Sequence, residues 1–150
     1  MTDQKRVLFL CRGNSCRSQL AEGIVNHFLG EQWMAFSAGT EPAGYVHPLA
    51  IKALAEIGIT HTGYSKPVET FWGEPLDLVV TVCDGAAETC PVWLGSGKKA
   101  HINFPDPSLV TGTDEEIMDA FRQVRDYIRA EVILYLMAFP ANELQTMDQR

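Results

Sequence analysis

Residues 5–10 close on an unbroken apolar run, Val7-Leu8-Phe9-Leu10, which predicts a strand buried on both faces. The pattern then changes period. Leu20, Ile24 and Phe28 recur at every fourth position, so a helix is expected from Ser18, as N-cap, to about Leu29. Trp33-Met34-Ala35-Phe36-Ser37 reads as a second strand before Gly39, and Pro48 suits the first turn of a helix over 48–57 that Gly58 ends. A short helix is expected over 67–73. Leu76 to Val82 forms the clearest apolar strand and runs directly into Cys83, while 99–104 gives a weaker fourth strand. Thr113 and Glu116 form a capping box for a long last helix that places Ile117, Phe121, Val124, Ile128 and Tyr135 on one face. From Pro140 the sequence is polar, and a frayed tail is expected.

Strands alternating with helices point to an α/β fold, an open four-stranded parallel sheet with helices on both faces. Ligands of such folds bind beyond the carboxyl ends of the strands. Cys11 and Cys83 each follow a strand at once, and Asp106 follows the weaker one, so all three fall on one edge of the sheet. No repeat or linker divides the 150 residues, and a single domain is expected over 1–150.

A net charge of −7 disfavours nucleic acid and anionic membrane as partners, so any anion must be held by local geometry. No apolar run approaches the ~20 residues of a membrane span. The opening residues Met1 to Arg6 carry no signal-peptide pattern, so a cytoplasmic monomer is expected. In that setting four cysteines suggest catalysis, redox chemistry or metal binding rather than structural disulfides.

The chemistry gathers in Cys11-Arg12-Gly13-Asn14-Ser15-Cys16-Arg17-Ser18, a loop between a strand and a helix. Its amides and the helix N-terminus can cradle a tetrahedral oxyanion. Arg17 adds a bidentate grip. Gly13 and Asn14 tolerate the positive φ such a loop needs. The same field favours a thiolate at Cys11, the nucleophile, and Ser18 can donate to its sulfur. Residues 12–17 are therefore the expected oxyanion loop, Cys16 having a structural part in it. His27, His47, His61 and His101 show no metal or triad spacing.

This run, continued by Gln19 and Ala21-Glu22 and later by Ser37-Ala38-Gly39, resembles the low-molecular-weight protein tyrosine phosphatase superfamily, and within it the thioredoxin-coupled arsenate reductases. The resemblance spans residues 5 to 138. It implies that Asp106 of Asp106-Pro107 is the general acid that protonates the departing oxygen. It also implies that Cys83 and Cys90 are a redox pair. On spacing alone the two could equally be incidental thiols. Zinc held by Cys11, Cys16, Cys83 and Cys90 would need paired ligands closer than four and six intervening residues allow. Residues 84–89 are expected to form a mobile helical turn whose unwinding lets the two sulfurs meet.

The expected activity is thus reduction of arsenate to arsenite, with thioredoxin as reductant and no cofactor or metal. The alternative is phosphomonoester hydrolysis, slightly disfavoured by Gln19 where the phosphatases have proline. A non-catalytic thiol or metal sensor is a further rival. Some reductases of this kind hold potassium behind the loop with residues matching Asn14, Glu22 and Ser37. Lys66 lies near the remaining acidic position, and its ammonium is expected to replace the ion.

Overall fold

The computed structural model describes residues 4–85 and 88–140. Strands β1 (Lys5–Cys11), β2 (Trp33–Gly39), β3 (Leu78–Thr81) and β4 (Lys98–His101) form one parallel sheet in the order β2-β1-β3-β4. Cys11 sits opposite Gly39, Leu10 opposite Thr81, and Thr81 opposite His101, so the carboxyl ends of all four strands share one edge. The last two strands are shorter than their apolar patterns suggest. Backbone pairing stops where Val82 and Ile102 still donate single hydrogen bonds to Leu10 and Thr81.

Both faces of β1 are buried, as its unbroken run requires. Val7 and Phe9 point to one face, and Leu8 and Leu10 to the other. Helices α1 (Arg17–Phe28), α2 (Pro48–Ala55) and α3 (Asp114–Ala138) pack on the first face through Leu20, Ile24, Leu54, Phe121 and Ile128. The second face is covered by a 3-10 turn over Val68–Phe71 and by Trp93. Both faces are therefore covered, though unequally. Arg125 of α3 is buried against α2, donating to Ala53 O at 3.0 Å and pairing with Glu56 at 2.9 Å. The capping box of α3 forms between Thr113 and Glu116. Val132 and Leu136 carry its buried stripe to the end, and Tyr135 lies half-buried beside them.

Two local expectations are corrected. Helix α1 begins two residues earlier than expected, with Cys16 rather than Ser18 at the N-cap and no side-chain cap. Ser18 lies inside the first turn, where its hydroxyl is drawn instead to the Cys11 sulfur. Only Asn14 takes a positive φ (48°) in the loop, whereas Gly13 does not. Between Cys83 and Cys90, Glu88 N donates to Asp84 O at 2.9 Å, the spacing of a single helical turn. Seven helical steps would separate their Cα atoms by about 10.5 Å, whereas the disulfide that joins them holds the Cα atoms 5.8 Å apart. Residues 86–87 and the tail expected to fray beyond Pro140 lie outside the described residues.

Candidate active site

The loop from Arg12 to Cys16 turns its carbonyls outward and leaves its amides inward. Arg12 O accepts from Glu41 N, Gly13 O from Ala43 N, and Ser15 O from His47 N, at 2.8–3.0 Å. Asn14 O accepts from Gln19 Nε2 at 3.1 Å. Among the described residues the amides of Gly13, Asn14, Ser15 and Cys16 donate to no protein atom. Gly39 is required on the outside of this loop, because a Cβ there would lie 2.5 Å from Arg12 O. The cleft above the amides has a volume of about 220 Å³ and is bordered by Cys11, Arg17, Tyr45, His47, Asp106 and Ser108. A larger cavity of about 640 Å³ lies behind the loop but has no cysteine on its walls.

Cys11 is buried at the end of β1, with its Sγ 2.9 Å from Ser18 Oγ. A directed chain of donors leads to that sulfur. Lys66 N donates to Asn14 Oδ1 at 3.0 Å, which fixes the amide so that Nδ2 donates to Ser18 Oγ at 2.8 Å. The Ser18 hydroxyl proton is then left for the Cys11 sulfur. Cys16 is placed differently. Burial, reinforced by the charge of Asp106, pushes its thiol up to about 12, which keeps it a protonated, inert neighbour. The exposed Arg12 side chain turns away to Glu41 at 2.6 Å, so only its backbone belongs to the loop.

Arg17 is 4% exposed, and its fork lies between three groups. Nη1 donates to Phe104 O at 3.1 Å and to Glu88 Oε2 at 2.6 Å, while Nη2 donates to Glu88 Oε1 at 3.0 Å. Asp106 Oδ2 is 3.6 Å from Nη2. Burial works against the guanidinium charge, but the Glu88 hydrogen bonds and the Asp106 charge outweigh it and raise the Arg17 pKa. The same contact from Arg17 lowers the Glu88 carboxyl, with burial opposing. Arg17 Nε, buried beside this pair, has no partner among the described residues. A buried donor left without an acceptor is costly, and an oxyanion in the cleft would supply one.

Asp106 caps a 3-10 turn over Pro107–Leu109. Its Oδ1 accepts from Ser108 N at 2.9 Å and Ser108 Oγ at 2.6 Å, leaving Oδ2 toward Arg17 and the cleft. Cys83 is fully buried just beyond β3 and bonded to the half-buried Cys90, while Cys11 and Cys16 are free. The strand-end residues Cys11, Cys83 and Asp106 thus share one edge of the sheet. Sequence reasoning missed Glu88, Tyr45, His47 and Ser108, although Ser108 directly follows Asp106-Pro107 and Glu88 lies between Cys83 and Cys90.

Behind the loop, Lys66 is 7% exposed. Its Nζ donates to Tyr64 O at 2.8 Å and lies 3.5 Å from Ser37 Oγ and 3.7 Å from Glu22 Oε1. Asn14 Oδ1 is already taken by the Lys66 amide. These residues do not fit a potassium ion, since an ammonium occupies the space among the same oxygens. Burial lowers the Lys66 pKa, and the Glu22 carboxylate opposes that shift.

The family description "low molecular weight phosphotyrosine protein phosphatase" matches residues 6–148. The chain belongs to that family. Within it, a curated arsenate reductase of Halalkalibacterium halodurans is 45% identical over 127 residues, covering 84% of this chain and 91% of that protein. A solved arsenate reductase in the phosphate-binding state has a TM-score of 0.74 at 30% identity, covering 89% of this chain and 98% of that one. A thioredoxin-dependent arsenate reductase of Corynebacterium glutamicum has a TM-score of 0.62 at 26% identity, covering 90% of this chain and 63% of that one. No helix among the described residues is long and apolar enough to cross a membrane.

Proposed function

We propose that this family member reduces arsenate to arsenite through a relay of Cys11, Cys83 and Cys90, and that thioredoxin regenerates it. The observation that carries this reading is the Cys83–Cys90 disulfide at the same sheet edge as the free thiol of the oxyanion loop. Phosphate-ester hydrolysis on the same cleft would use Cys11, Arg17 and Asp106 and would leave that pair without a task. The arsenate reductases among the relatives, one of them thioredoxin-dependent, support the same choice.

In this scheme arsenate sits on the amides of residues 13–16, and Arg17 Nε supplies a further donor. The Cys11 thiolate attacks arsenic and forms an S–As bond, and Asp106 protonates the departing oxygen, which leaves as water. Cys83 then attacks the Cys11 sulfur. The S–As bond breaks, its electron pair stays on arsenic, and arsenite departs with arsenic reduced from five to three. Cys90 attacks Cys83 in the resulting Cys11–Cys83 disulfide, frees the Cys11 thiolate and leaves Cys83–Cys90. Two electrons from the dithiol of thioredoxin restore the pair.

Glu88 belongs to this cycle as well. It lies between the two cysteines of the pair and occupies the Arg17 fork while the disulfide is closed. A bidentate grip of Arg17 on substrate then requires the 84–90 segment to move, and reduction of the disulfide releases it. The test is arsenate-dependent NADPH consumption with thioredoxin and thioredoxin reductase, comparing the wild type with Cys90→Ser. Turnover by the wild type and its loss in the variant are expected. Equal turnover by both would refute the relay, and parallel hydrolysis of an aryl phosphate should not depend on Cys90.

A further inference from the structure

The redox pair has a third neighbour that the relay does not use. His101, the last residue of β4, places a ring nitrogen within 4.8 Å of the sulfurs of both Cys83 and Cys90. We propose that the reduced pair and His101 form a zinc site, with a water in the fourth position. The assignment does not depend on arsenate reduction. It requires only that the disulfide can be opened by a dithiol.

Two thiolates and one imidazole are a donor set suited to zinc, and three protein ligands leave one tetrahedral position for solvent. Two Zn–S bonds of ~2.3 Å at a tetrahedral angle separate their sulfurs by about 3.8 Å. In the closed pair the three donor atoms lie within 4.8 Å of one another, so an ion that holds the opened sulfurs near that spacing would complete such a site without moving a strand. The donors are fixed from two sides of the sheet edge. Cys83 is buried beyond β3, and His101 closes the neighbouring β4, where Thr81 and His101 pair directly.

The imidazole is also braced as a metal ligand should be. Nδ1 lies 2.6 Å from Thr81 Oγ1, and Nε2 meets Asn103 Oδ1. Whichever nitrogen turns to the ion, the other keeps a partner that fixes the ring. Asn103 Oδ1 also accepts from Gly85 N at 3.0 Å, which ties the segment after Cys83 to the end of β4. Solvent can reach the site. His101 is exposed, and a cavity of about 370 Å³ opens beside it between Thr81, Pro91, Val92 and Lys99.

The chemistry balances without oxidising or reducing the ion. A dithiol reductant breaks Cys83–Cys90 and becomes a disulfide itself. Zinc then displaces two thiol protons to solvent and forms two Zn–S bonds and one Zn–N bond. While it is bound, neither sulfur has a free thiolate to attack with. The ion would protect the reduced pair from oxidation and hold the relay idle.

The test uses full-length protein reduced by a phosphine and titrated anaerobically with cobalt(II), a coloured stand-in, and then with zinc. No arsenate is present, so the result is separate from that of the turnover assay. Expected are one equivalent of tetrahedral thiolate-bound cobalt in the reduced wild type and in Cys11→Ser, its displacement by zinc, and none in the oxidised protein. Cys90→Ser and His101→Ala should bind about tenfold more weakly or worse. His101→Cys, which keeps a ligand at that position, should restore the spectrum and so separate ligation from packing. Absence of cobalt binding to the reduced wild type would overturn the site. So would a spectrum lost in Cys11→Ser, or one unchanged in both Cys90→Ser and His101→Ala.

Discussion

Glu88 grips Arg17 through both terminal guanidinium nitrogens, at 2.6 and 3.0 Å, from a loop closed by the Cys83–Cys90 disulfide. A carboxylate therefore occupies both terminal nitrogens of the arginine that borders the cleft. Use of those nitrogens by an oxyanion in the oxidised protein must displace this ion pair. Glu88→Gln is expected to raise the affinity of the oxidised protein for inorganic phosphate by roughly tenfold, the equivalent of one charge-assisted hydrogen bond. Isothermal titration of oxidised wild type and variant measures it. Equal affinities would remove Glu88 from the cycle.

Asp106 presents Oδ2 to the cleft while Ser108 holds Oδ1. Asp106→Asn keeps the 3-10 cap but cannot deliver the proton. Single-turnover arsenite release should slow by about 10²–10⁴-fold, with phosphate affinity of the reduced enzyme retained. Loss of affinity with no change in rate would make Asp106 a binding group instead.

The Lys66 ammonium lies among the oxygens of Tyr64, Ser37 and Glu22. Activity and thermal midpoint should be the same in potassium and sodium salts at equal ionic strength. Lys66→Ala opens the space and should introduce a potassium-dependent rise in the midpoint. A clear potassium response of the wild type contradicts this placement.

His61 lies behind the loop, with Nε2 2.7 Å from Gln19 Oε1. Burial lowers its pKa, the Lys66 charge acts the same way, and Glu22 opposes them. The unfolded chain takes up a proton near the ordinary value of ~6.5, whereas the folded chain resists it. Stability is therefore complete above that value and falls as the pH drops through the lower folded pKa. His47, also lowered by burial, adds a slope of the same sign. Denaturant unfolding between pH 7.5 and 5 should show this loss, reduced in His61→Gln. An unchanged slope in the variant would assign the loss elsewhere.

Much of this site is legible in the chain because its parts are local. The run from Val7 to Leu10 has to be a buried strand, and Cys11 to Arg17 follows within a single loop and the start of α1. The Thr113–Glu116 box and the stop at Gly58 are likewise short-range signals. Ser18 was misread because the preference of a serine for capping is also local, whereas the Cys11 sulfur competes for its hydroxyl across the loop. Glu88 could not be found, since it meets Arg17 across 71 positions and nothing near it in sequence marks the contact. The helical look of residues 84–89 leaves the backbone hydrogen bond from Glu88 N to Asp84 O, while the disulfide holds Cys83 and Cys90 closer than a continuous helix would. His101 was invisible for a related reason: its partners arrive from β3 and from the loop after it.

The relay is tested most directly by trapping its middle. Reduced Cys90→Ser mixed with one equivalent of arsenate should release one equivalent of arsenite and stop. Peptide mass mapping should then find Cys11 joined to Cys83. Recovery of both cysteines as free thiols, or a Cys11–Cys16 bond in place of Cys11–Cys83, would contradict the account.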